Sequence, residues 1–183
     1  MTTTGIKPQT GTWTIDANHS NIGFAARHLM TTKVRGTFTS FSGTIEIGDE
    51  PTDSTVSVSI DTPSVDTGTE DRDAHLRSPD FFDTEVYPTA TFTSTSVDAE
   101  GGDRYVLTGD LTIKDVTRPV SIEFEYLGTT TDPWGNDKIA FEGSTVINRE
   151  DWGLNWNAAL ETGGVLVSKK ITIELEVQAA KAS

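Results

Sequence analysis

"YVLTGDLTIKDVTRPVSIEFEY", residues 105–126, holds two alternating runs around a short polar link. In the first, Tyr105, Leu107, Leu111 and Ile113 share one face, with Gly109 among them. In the second, Val120, Ile122, Phe124 and Tyr126 oppose Ser121, Glu123 and Glu125. Strict period-two alternation over such lengths marks a half-buried strand. The pattern recurs in both directions. "VSVSID" (56–61) sets Val56, Val58 and Ile60 against Ser57, Ser59 and Asp61. "ITIELEV" (171–177) sets Ile171, Ile173, Leu175 and Val177 against Thr172, Glu174 and Glu176. Less regular runs occupy 20–29, 34–47, 89–97 and 138–148. About eight such strands, joined by short turns, predict an all-β antiparallel barrel or sandwich. Parallel pairing would need several helical crossovers, for which the chain has no room. From Lys33 to Gly48 the chain would span about 50 Å if straight, at roughly 3.3 Å per residue. Gly36 and Gly43 are therefore expected to mark bulges or bends there, with Phe38 facing inward.

The chain has 183 residues, which predicts one domain with a real core. It has no cysteine, so disulfide and thiolate chemistry are excluded. The formal net charge is −14. Such a surface repels nucleic-acid phosphates and broad anionic membrane faces, although a local basic pocket remains compatible with it. The opening residues carry no basic-then-apolar pattern and no long apolar run. The expectation is a soluble, cytoplasmic protein with no nucleic-acid partner and no stable membrane insertion. The single domain is placed at 11–178, with 1–10 and 179–183 as flexible tails.

"EDRDAHLRSPDFF" (70–82) breaks the alternation. Thr67 and Glu70 have capping-box spacing, and "EDRDAHL" then reads as about two helical turns. Ser78 and Pro79 read as the start of a second short turn carrying Phe81 and Phe82. The result is a short helical insertion between barrel strands. Asp73 with Arg77, and Asp71 with His75, have the i,i+4 spacing of helical pairs.

Six segments resemble the YceI-like family. They are "HSNIGFAARHL" (19–29), "VRGTF" (34–38), "DRDAHLRSPDFFD" (71–83), "YPTATF" (87–92), "GDLTIKDVTRPV" (109–120) and "NREDWGLNWNAALETGGVLVS" (148–168). Their order and spacing carry the resemblance from about residue 11 to 178. It implies an extended, lipocalin-like antiparallel barrel of about eight strands. It also implies a long polyisoprenoid or other amphiphile as ligand, held inside the barrel. Many family members are periplasmic, and this chain departs from them by showing no export signal.

The apolar faces serve either as packed core or as cavity wall, and both readings stay open here. As a wall, the candidates are Ile22, Phe24, Phe38, Val58, Phe92, Leu111, Ile113, Phe124 and Phe141. Phe81 and Phe82 would close one mouth. Trp152, with Trp156 beside it, suits a wet rim or a closed barrel end. A polar clamp of His19, Arg72, Asp73, His75 and Arg149 reads as an ion-pair network fixing the helix, as a collar for a ligand headgroup, or as a catalytic cluster. Arg149 would pair with Asp151 or reach the headgroup. Gly163 and Gly164 mark a turn before the final strand. The three histidines lack metal-motif spacing, and no cofactor is expected. The leading function is non-enzymatic binding, storage or transport of an isoprenoid lipid or quinone-like amphiphile. The alternatives are an enzyme acting on a hydrophobic substrate through Arg72, Asp73 and His75, and a ligand-free homodimer formed through edge strands.

Overall fold

The computed structural model describes residues 8–158, 160 and 166–182. Eleven strand segments form one antiparallel sheet. They are β1 (Gly11–Ile15), β2 (Asn21–His28), β3 (Thr32–Phe38), β4 (Phe41–Ile47), β5 (Thr55–Asp61), β6 (Val65–Asp66), β7 (Thr89–Gly101), β8 (Arg104–Ile113), β9 (Val116–Thr131), β10 (Asp137–Asn148) and β11 (Lys170–Lys181). Three pairs, β1 with β2, β3 with β4 and β5 with β6, are halves of single interrupted strands. The sheet is therefore a closed barrel of eight long strands, each beside its neighbour in sequence. Closure falls on β11, whose end pairs with β1 through Ile15 and Ala179, and whose beginning pairs with β2 through Ala25 and Thr172. Residues 179–181 are thus part of the barrel, and Ala179 is fully buried. The expected flexible tail there is corrected, because strand pairing outruns the last strongly alternating residue.

Each interruption has its own hydrogen-bond repair. Between β1 and β2, a 3-10 turn spans Ala17–His19, and the Asp16 carboxylate accepts from the Asn18 amide. Ser20 Oγ both donates to the Gln178 carbonyl and accepts from its amide. These bonds restore the ladder across the break. Between β3 and β4, Thr39 and Ser40 leave the strand. Ser40 Oγ donates to the Asp61 carboxylate, and Ser64 Oγ accepts from the Ser40 amide.

The long strand from 33 to 48 is therefore interrupted, but at Thr39–Ser40 and not at either glycine. The register runs unbroken through Gly36, opposite Phe24, and through Gly43, opposite Val58. The glycines make space instead. A Cβ at Gly36 would overlap the Phe24 ring, and one at Gly43 would come within 2.6 Å of Ile15 Cδ1. Phe38 does face inward, as expected.

The insertion between β6 and β7 carries the one α-helix among the described residues, α1 (Glu70–Arg77). Its anchoring differs from the expected pattern. Thr69 is the N-cap residue and makes no side-chain cap bond. The Asp73 carboxylate, from the first turn, accepts from the Thr67 amide at 2.8 Å and from Thr67 Oγ1. Ser78 ends α1 and closes a turn in which its Oγ accepts from the Asp80 amide. No second helix follows.

Interior packing is uneven. Where the lower ends of β1, β9, β10 and β11 meet, Trp13, Ile139 and Ala179 have 0 % exposure and Tyr126 has 2 %. Trp13 Nε1 donates to the Gln9 carbonyl, so its one polar atom is satisfied. Away from this corner the inward side chains keep part of their surface, because they face a void.

Candidate functional site

That void has a volume of about 670 Å³. It falls within the range of small-molecule pockets, roughly 300–1,000 Å³. Its wall is almost wholly aliphatic and aromatic. All nine wall candidates from the alternation, Ile22, Phe24, Phe38, Val58, Phe92, Leu111, Ile113, Phe124 and Phe141, line it. Phe81 and Phe82 line it as well, carried in by the turn after α1. Aromatic rings form two chains along the wall. Phe24, Phe38 and Phe82 follow one another at centroid spacings of 5.6 Å. Tyr105, Phe124 and Phe141 do the same across β8, β9 and β10. These contacts hold each ring against its neighbours and away from the centre.

Recessed glycines widen the lumen further. Gly109 takes the Phe92 ring over its missing side chain, with Phe92 Cζ 2.5 Å from where a Cβ would stand. Gly143 lies opposite Phe124, whose Cβ would be 2.8 Å from an added one. With Phe24 over Gly36, two rings lie over bare backbone.

The lumen meets solvent between the β2–β3 hairpin and α1. Exposed Arg27, Thr69 and Asp71 line it there, together with His28, Arg72 and His75. Trp156 and Leu166 complete this rim. Sequence reasoning placed Trp156 beside Trp152 but chose the latter for the site. The structure reverses them. Trp152 is outside the cavity wall, 3 % exposed, and its Nε1 donates to the Leu111 carbonyl at 2.9 Å. Trp156 packs edge-on against His75 at 4.5 Å and tilts against Phe81 at 5.6 Å. The signal missed was reach: Trp152 lies in the 3-10 turn at the end of β10, too close to the sheet to extend into the lumen. His28 and the wall residues Leu107 and Leu175 were also passed over, although alternation had already set both leucines on inward faces.

The polar clamp is not one cluster. His19 is on the outside of the β1–β2 break, where its Nδ1 pairs with Asp16 at 2.7 Å. That bond holds the Asp16 carboxyl below its usual range, and burial only partly opposes it. Nor does Asp73 pair with Arg77, or Asp71 with His75. Arg77 Nε donates to the Pro63 carbonyl, and His75 Nε2 meets Asp80 at 2.9 Å. Arg72 donates through Nε to Thr67 Oγ1 and through Nη2 to the Thr67 carbonyl. Thr67 is therefore the hub linking Arg72 to Asp73. The expected Asp73–Arg77 pair loses to backbone groups of Pro63, Val65 and Thr67, and the expected Asp71–His75 pair loses to the Asp80 carboxylate.

Arg149 is 5 % exposed and makes no pair with Asp151. Its guanidinium donates to the Leu154, Val167 and Ser168 carbonyls and lies over the Phe81 ring at 5.8 Å. Burial lowers its pKa, and Glu150 acts in the opposite sense. Arg149 thus fastens the segment after β10 to the segment before β11. The expected turn at Gly163 and Gly164 lies outside the described residues. Deep in the lumen, burial raises the Tyr105 pKa, with Asp103 and then Tyr126 adding to the effect. Asp103 Oδ1 is buried with no hydrogen-bond partner among the described residues.

A closed antiparallel barrel with an apolar lumen and a polar rim at one opening defines a lipocalin-like binding barrel. The YceI-like domain model matches residues 13–179, and the chain belongs to that family. The UPF0312 protein plu2095 of Photorhabdus laumondii is 44 % identical over 139 residues, covering 75 % of this chain and 72 % of the relative. Protein YceI of Escherichia coli O157:H7 is 42 % identical over 140 residues, covering 76 % and 73 %. Among solved structures, a polyisoprenoid binding domain from Saccharophagus degradans, implicated in plant cell wall breakdown, shares the fold. Its TM-score is 0.69 at 19 % identity, covering 95 % of this chain and all of that one.

Proposed function

We propose that the barrel binds and carries a long apolar molecule, an isoprenoid lipid or quinone-like amphiphile, inside its lumen. The observation that supports this most directly is the 670 Å³ cavity with an almost wholly apolar wall. Burial drives binding at about 25 cal/mol per Å² of apolar surface removed from water. Few polar contacts are needed, and cavity shape sets selectivity along the chain. The polyisoprenoid-binding neighbour is consistent with the ligand class. The reading favours a binding protein over an enzyme. Arg72 and Asp73 are engaged by Thr67, and His75 by Asp80, so the helical cluster serves attachment of α1. Organic extraction of the purified protein followed by mass spectrometry tests the proposal. A long-chain lipid recovered in stoichiometric amount is the expected result. An empty barrel that also takes up no added polyisoprenol would overturn it.

A further inference from the structure

The β2–β3 hairpin ends in Leu29 and Met30, which are 47 % and 57 % exposed. Both have positive φ, 54° and 68°. The loop holds three residues, Leu29 to Thr31, between paired His28 and Thr32. Central turn positions with positive φ favour Asn and Gly, and large side chains there pay a backbone cost. Two bulky apolar residues thus occupy a position that disfavours them both by solvation and by backbone geometry.

Within the tip's own hairpin every charged residue is a cation, while exposed Asp71 of α1 stands across the mouth. Arg27, Lys33 and Arg35 flank the tip within a chain whose net charge is −14. Lys33 and Arg35 meet Glu174 only at 3.9 and 3.8 Å, in exposed positions. The hairpin is also one lip of the cavity, since Ala26, Arg27, His28 and Val34 line the lumen. A second exposed apolar tip gives the contrast. Trp134, in the β9–β10 turn, is 83 % exposed, but Asp132 and Asp137 surround it with Lys138 as the single nearby cation.

We propose that the Leu29–Met30 tip docks the cavity mouth onto an anionic lipid surface. The two apolar side chains enter the headgroup layer, and Arg27, Lys33 and Arg35 meet lipid phosphates. The acidic outer barrel, including Glu123, Glu125, Glu142 and Glu176, turns away from the same surface. That polarity orients the molecule mouth-down. A protein partner fits less well, because two side chains fall far short of the roughly 1,000 Å² that a stable interface buries. The purpose of docking rests on the lipid-carrying reading: an apolar ligand would pass between bilayer and lumen without crossing water. The docking itself does not depend on that reading.

The test is co-sedimentation of ligand-free protein with vesicles, using mixed phosphatidylglycerol and phosphatidylcholine against phosphatidylcholine alone. Binding is expected to the mixed vesicles only, and added salt should release it. Leu29→Asn with Met30→Gly suits the turn better, so the melting temperature should hold or rise while the vesicle-bound fraction falls. Lys33→Gln with Arg35→Gln should weaken vesicle affinity roughly thirtyfold. Trp134→Ala should change nothing. Wild-type protein that ignores both vesicle types, or an Asn-Gly variant that binds as wild type does, would overturn the proposal. A tip variant that converts a dimer to a monomer in sedimentation velocity would also overturn it, by assigning the tip to a second copy of the chain. Vesicle binding by a protein that never loads lipid would retain docking and reject the carrier reading.

Discussion

The corner around Trp13 and the lumen around Phe124 are built by the same alternating strands, yet one is filled and the other is hollow. Both sets of side chains point inward. Trp13, Tyr126 and Ile139 converge from β1, β9 and β10 and leave no surface uncovered. Phe24, Phe92 and Phe124 are also large, but Phe24 and Phe92 lie over glycines and Phe124 stacks on Tyr105, so all three stay against the wall. Period-two alternation decides which way a residue faces. Whether the inside is solid depends on what stands opposite, ring on ring or ring on bare backbone.

The sharpest way to break this comparison is to truncate one residue from each region. Trp13→Ala should cost about 3–5 kcal/mol in chemical denaturation, since it opens a new cavity in packed surroundings. Phe124→Ala should cost only about 1–2 kcal/mol, because its ring already borders a void. Equal losses would mean that the lumen is as tightly packed as the corner.

A second contrast concerns how α1 is held. Asp73→Ala should lose about 1–3 kcal/mol, by leaving the Thr67 amide without its acceptor. Arg72→Ala acts on the same threonine. The double variant should therefore lose less than the sum of the two singles. Replacing Thr67 by valine should weaken that coupling, since only the two backbone bonds of residue 67 then remain. Full additivity in thermal melts of the four variants would remove Thr67 as the hub.

The smallest effect is expected far from the mouth, at the β1–β2 break. His19 holds the Asp16 carboxyl below its ordinary range. A carboxyl depressed in the folded state contributes stability above its unfolded pKa, near 3.9, and loses it as pH falls through the folded value. Asp16→Asn should thus be less stable than wild type near pH 5 by about 0.2–1 kcal/mol, and the gap should close in stronger acid. Urea midpoints at the two pH values measure this. A gap that widens in acid would reverse the assigned sign.

Most of the barrel was legible because alternation is a local signal. Strand order followed from short links, and each wall phenylalanine was assigned by parity alone. The polar residues were less legible. Spacing put Asp73 and Arg77 on one helical face, but the segment 63–67 around β6 offered backbone groups closer to hand. Nothing in the sequence weighs those two sets of partners. Trp152 and Trp156 show the same gap: four residues apart, they end respectively behind the wall and at its rim. Gly36 was read correctly as special and wrongly as a bend, because a glycine that admits a ring across the ladder is indistinguishable in one dimension from a glycine that kinks.

The rings recessed over Gly36 and Gly109 make the bore adjustable from behind. Strand number and tilt fix the calibre of a barrel's backbone. Here the free calibre also depends on two positions that present no side chain to a ligand. A single methyl group at either of them would push an aromatic ring toward the axis and narrow the passage at that level. Related chains can therefore drift between slender and bulky ligands by changes at glycine codons, while every residue that touches the ligand stays the same.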